Sequence, residues 1–70
     1  MWMPALKTKN TLLNLARADR IELRANHKGD FEIQVRLEQA IWVIHECNGE
    51  ESGKEFLVRL LNRLNREKKA

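Results

Sequence analysis

Between Arg20 and Leu37 the chain alternates apolar and polar side chains with a period of two, interrupted once by Asn26-His27-Lys28-Gly29-Asp30. Ile21, Leu23 and Ala25 fall on one side of this pattern and Arg20, Glu22 and Arg24 on the other. After the interruption, Phe31, Ile33, Val35 and Leu37 alternate with Glu32, Gln34 and Arg36. A period of two places alternate side chains on opposite faces of a strand. The intervening Asn, Gly and Asp are turn formers. The segment is therefore expected to form a β-hairpin with one face on a core and one face in water. The wet face carries charges of both signs and a glutamine, which suits either a recognition surface or a solvated one.

At 70 residues the chain has room for one domain. A chain of this size buries only ~60% of its unfolded surface, so disulfides, metals or self-association commonly supplement the core. Cys47 is the single cysteine, which excludes an intrachain disulfide and argues against a secreted disulfide scaffold. Self-association, as a homodimer or higher oligomer, is the remaining remedy. No apolar run approaches the ~20 residues of a membrane span, and Met1–Leu6 is too short for the apolar core of a signal peptide. A cytoplasmic protein without a membrane partner is expected. The formal net charge is +3. Basic residues dominate positions 1–30 and 54–70, and acidic residues dominate 31–53. Basic ends around an acidic middle suit an anionic partner or head-to-tail pairing of chains. A merely solvated surface reads equally well.

Residues 1–10, with Pro4, Lys7 and Lys9 and no periodicity, read as an N-terminal arm, and 11–70 as a single small α+β domain. Thr11 can cap a short helix with Leu12, Leu13, Leu15 and Ala16 on its apolar side, ending near Asp19. A rival reading extends that helix through Arg24. After the hairpin, Glu38 to Cys47 reads as a second helix closed by Asn48-Gly49. Ala40, Ile41, Trp42, Val43, Ile44 and Cys47 leave it apolar nearly all round, so it needs cover on several sides. From Ser52 or Gly53 a third helix carries Phe56, Leu57, Leu60, Leu61 and Leu64 as an amphipathic stripe, with Lys68 and Lys69 at its C-terminal end, where the helix dipole favours cations. The expected architecture is a short N-terminal helix, a β-hairpin and two amphipathic helices. The expected dimer interface comprises Ile41, Trp42, Ile44, Leu57, Leu60 and Leu64.

The chemistry-bearing residues point away from catalysis. On a helix, His45 and Cys47 would be separated by ~200° of rotation and could not grip one ion. His27 belongs to a turn, and Cys47 to an apolar face, where an inert thiol is the usual case. There is no phosphate-binding glycine loop of either common type. No enzyme, cofactor or metal is expected. Ser52-Gly53-Lys54 at a helix start offers backbone N–H groups and a lysine to an anion, and also reads as a plain helix N-terminus.

Phe31-Glu32-Ile33-Gln34-Val35-Arg36-Leu37, followed by two helical segments with Gly49 between them, resembles the ribbon-helix-helix repressors over residues 31–66. The resemblance implies a strand paired with its twin in an intertwined dimer. It also implies Gln34 and Arg36 as base readers with Glu32 at the third reading position, and Ser52, Gly53 and Lys54 as a phosphate clamp. Gln suits adenine and Arg suits guanine by bidentate geometry. The first functional expectation is a small dimeric DNA-binding protein, such as a transcriptional regulator. It would use Arg20, Arg24, Gln34, Arg36, Ser52, Lys54 and the basic ends. The alternative is a protein-binding inhibitor or adaptor of the phage or mobile-element type that blocks a host protein, with Trp2 as a candidate anchor. A third reading is an oligomeric binder of an anionic small ligand.

Overall fold

The computed structural model describes residues 1–8 and 10–69. Its elements are β1 (Trp2–Pro4), β2 (Leu12–Asn14), a 3-10 turn (Leu15–Arg17), β3 (Arg20–Ala25), β4 (Phe31–Leu37), β5 (Ala40–Cys47) and α1 (Glu50–Lys69). β1 and β2 form an antiparallel pair, and β3, β4 and β5 form an antiparallel meander with β4 in the centre. α1 packs across one face of the meander and touches all three of its strands.

The β3–β4 hairpin closes through the Asn26–Asp30 turn. Asn26 Oδ1 accepts hydrogen bonds from the N–H groups of Lys28 (2.9 Å) and Asp30 (3.0 Å). Gly29 takes a φ of 86°, a left-handed conformation that costs glycine least. Ile21 stands opposite Val35, and Leu23 opposite Ile33. Ile33 and Val35, at 0% exposure, are the most deeply buried large side chains. Burial of each contributes about 1.5–3 kcal/mol.

The second helix expected at Glu38–Cys47 is instead β5, and this overturns the helix–hairpin–helix–helix architecture. β4 turns back through Glu38 and Gln39, whose φ angles are 54° and 69°. Two consecutive positive φ values make the two-residue turn that matches strand twist. The residues that read as apolar all round a helix are apolar on both sides of a strand. Trp42 and His45 face the helix side, opposite Val35 and Ile33, while Ile41 and Val43 lie on the other face, opposite Arg36 and Gln34. Register shifts between Ile33 and Gln34, leaving Ile44 as the extra residue of a β-bulge. The N-terminal helix expected over Thr11–Asp19 is likewise replaced, by β2 and the 3-10 turn. That turn is capped by Asn14 Oδ1, which accepts from Ala16 N–H at 3.2 Å.

The segment read as an arm supplies β1 and core side chains. Met3 pairs with Leu13, and Ala5, Leu13 and Leu15 are buried in the same cluster as Ile33, Val35, Ile44, Leu60 and Leu64. Leu6 N–H donates to Val43 O at 2.7 Å, tying this segment to β5. The third expected helix is α1, with Glu50 and Glu51 in its first turn, where the dipole favours negative charge. Gly53 lets α1 approach the sheet closely, since a Cβ there would collide with Leu23 Cδ1 and press on Cys47 Sγ. At the far end, the Met1 ammonium pairs with Glu67 at 2.7 Å.

Candidate nucleic-acid interface

The meander has an inner face under α1 and an outer face that no element of the described chain covers. On the outer face, β3 presents Arg20, Glu22 and Arg24, each opposite a β4 residue: Arg36, Gln34 and Glu32 respectively. β5 adds Ile41 opposite Arg36 and Val43 opposite Gln34. Arg20, Glu22, Arg24, Gln34, Arg36 and Ile41 line a shallow depression of about 170 Å³. The period of two in the sequence and the register of two antiparallel pairs suffice to gather these side chains.

The electrostatics of this face are uneven. Arg24 pairs with Glu22 along its own strand at 3.2 Å, in an exposed geometry of small energetic worth. Arg20 and Arg36 stand directly opposite one another, and among the described residues neither forms a salt bridge. Like charges directly opposed across a ladder destabilise a sheet. An anion lying between them would remove that cost and engage two guanidinium groups at once. Glu32 lies on the same face but is only 6% exposed, and its Oε2 has no hydrogen-bond partner among the described residues.

Of the residues expected to bind nucleic acid, Arg20, Arg24, Gln34 and Arg36 converge on this depression. Ser52 and Lys54 do not. They belong to α1, on the opposite side of the sheet, and Lys54 is paired with Glu50 at 3.3 Å. Two first-turn glutamates beside Ser52 make this helix start a poor phosphate clamp. Lys9 and the side chains of Lys68 and Lys69 lie outside the described residues. The strand–helix–helix order implied by the ribbon-helix-helix resemblance is absent, because β4 is followed by β5.

The expected dimer residues are dispersed. Ile44, Leu60 and Leu64 are buried in the chain's own core, Trp42 and Leu57 pack against it, and Ile41 is 64% exposed on the outer face. The chain's own fold covers five of the six wholly or in part and leaves Ile41 open, so these residues do not form one shared surface. His45 and Cys47 share the inner face rather than diverging. The His45 ring stacks on Phe56 with centroids 4.0 Å apart, and Cys47 Sγ donates to Phe31 O at 3.6 Å. Among the described residues no three His, Cys, Asp or Glu side chains converge as a metal site, and no helix is long and apolar enough to cross a membrane.

Sequence reasoning missed Ile41 as part of the depression, because its strand was read as a helix. It also missed a groove beside the β1–β2 pair, lined by Trp2, Leu12, Arg17, Leu37, Glu38 and Trp42 among others. The β-branched content of residues 41–44 was the available signal for β5. Comparison with protein-family models, curated proteins and solved structures returned no match to this chain.

Proposed function

We propose that this chain binds DNA through the outer face of the β3–β4–β5 sheet. The observation that carries the reading is the cross-strand couple Arg20–Arg36, without a salt-bridge partner among the described residues and set in a depression that also holds Arg24 and Gln34. Guanidinium groups engage phosphate bidentately, and Gln34 between them has the donor and acceptor needed to meet a base edge. The outer face carries no aromatic side chain on β3, β4 or β5. Single-strand binders use aromatic platforms for base stacking, so duplex DNA suits this face better. The net charge of +3 favours association with a polyanion.

The test is fluorescence anisotropy with a labelled mixed-sequence duplex over a salt series. Engagement of three arginines predicts a slope of log K against log salt of about −3. Arg36→Gln should reduce the slope by about one unit. Absence of binding at tens of micromolar in low salt overturns the reading. Stabilisation by free nucleotides with no duplex binding would favour the small-anion alternative instead.

A second reading rests on Trp2 and Leu12, which are 64% and 63% exposed beside the groove floored by Leu37 and Trp42. Tryptophan anchors are common at protein interfaces. An inhibitor or adaptor working through this site would lose its partner on Trp2→Ala and keep it on Arg36→Gln.

A further inference from the structure

β3 is an edge strand: β4 covers one side of it, and among the described residues no strand pairs with the other. The direction of its free backbone groups follows from the turn. Asn26 N–H donates to Asp30 O at 2.8 Å, and these two residues continue the register in which Ala25 faces Phe31. Gly29 N–H donates to Asn26 O at 3.2 Å, so Asn26 and Asp30 close the ladder at a hydrogen-bonding position, and such positions recur at every second residue. Arg24 and Glu22 therefore exchange their bonds with β4, and at the start of the strand Asp19 N–H donates to Arg36 O at 2.9 Å. Ile21, Leu23 and Ala25 direct their N–H and C=O groups to the open edge.

We infer that a second copy of this chain pairs with that edge, antiparallel and with the two-fold axis at Leu23. In this register Leu23 faces its twin, and Ile21 faces Ala25 of the other copy. All three open residues then become hydrogen-bonded pairs. Their half-buried or exposed apolar side chains meet on the inner side. On the outer side, Glu22 of each copy stands opposite Arg24 of the other. These are non-hydrogen-bonded pairs, whose side chains lie closest. The neighbouring register, centred on Glu22, would oppose Glu22 to Glu22 and Arg20 to Arg24. Charge therefore selects the Leu23 register.

The helices do not obstruct the seam. Gly53 sits against Leu23 of β3 and Cys47 of β5 together, so α1 runs over β4, one strand in from the edge. Across the seam the two helices stand three strand spacings apart, ~14 Å, more than close-packed helices need. The pairing is isologous and closed. Both outer faces end on one side of a continuous sheet, with the two Arg20–Arg36 couples displaced ~20 Å along the strand direction. The pairing does not depend on DNA binding.

Charge reversal tests this. Glu22→Arg alone sets a new guanidinium against the twin's Arg24, so the seam opposes positive to positive. Arg24→Glu alone sets a new carboxylate against the twin's Glu22, so the seam opposes negative to negative. Mixed, the two variants restore opposite charges at both positions of the seam. Mass by light scattering over a micromolar-to-millimolar series should show wild-type dimers and self-association weakened about tenfold in each variant. Mixing the variants should recover dimers that contain one of each. Circular dichroism of each variant alone checks that it is folded. A wild-type mass of one chain throughout the series overturns the inference and leaves the edge to a foreign strand or to solvent. Wild-type dimers that survive in both variants overturn it as well.

Discussion

On the inner face of the meander, Ile33 and Val35 are sealed from solvent beneath α1. Their sequence neighbours Gln34 and Arg36 belong to the outer face, in an open depression with Arg20 and Arg24. Both sets hang from the same central strand. The inner set is fixed by packing, where each methylene counts. The outer set includes Arg36, which Arg20 of β3 opposes in a pair that packing does not require and that electrostatics disfavours. A sheet that keeps such a pair gives up stability on the face that has least to do with holding the fold together. The difference separates the residues that make the structure from those available for recognition.

The largest effect expected from breaking this contrast is Ile33→Ala, which should cost about 3 kcal/mol in urea unfolding. Gln34→Ala, one residue away on the other face, should stay within about 0.5 kcal/mol. Equal losses would mean that the outer face is also packed. Next is Gly53→Val, where a branched side chain must push α1 off Leu23 and Cys47. A loss of about 2 kcal/mol is expected, read as a lower urea midpoint. An unchanged midpoint would show that Leu23 yields freely.

Two smaller effects carry the opposite sign. Glu38→Asn combined with Gln39→Gly suits the two positive φ angles of the β4–β5 turn and should stabilise by about 1 kcal/mol. The melting temperature should rise by roughly 4–8 °C. A helix at this position would instead be weakened by the glycine. Glu32→Thr removes a carboxylate with an unpartnered oxygen and should raise stability by about 0.5–1 kcal/mol in the same assay. A drop would show that the carboxylate is held in place by a partner such as Arg24.

These turns also explain what the sequence revealed. The β3–β4 hairpin was legible because alternation and turn chemistry coincide: Asn26, Gly29 and Asp30 are residues that such a turn selects. α1 was legible because Phe56, Leu57, Leu60 and Leu64 repeat with helical spacing. β5 was hidden twice over. Glu38-Gln39 carries no turn signature, and a strand apolar on both faces has no alternation to distinguish it from a buried helix. The Leu12–Leu15 stretch misled similarly, since three leucines imitate a helical face while Asn14 caps only a 3-10 turn. The arginines and Gln34 of the depression could be gathered from sequence because strand parity alone assigns their face. Ser52 and Lys54 stand near a helix start, as their sequence suggests, but away from the depression, because the side of the sheet on which a helix docks is set by tertiary packing. The burial of Glu32 has no local signature.

The opposed arginines are tested most directly by thermal unfolding of wild type and of the Arg20→Gln, Arg36→Gln double variant, each with and without excess duplex DNA. A surface held in readiness for an anion predicts that the double variant alone melts at or above the wild-type temperature, since the repulsion is gone. DNA should then raise the wild-type midpoint and leave that of the variant nearly unmoved. Equal DNA-induced shifts in both proteins, or a double variant that melts well below wild type on its own, would contradict it.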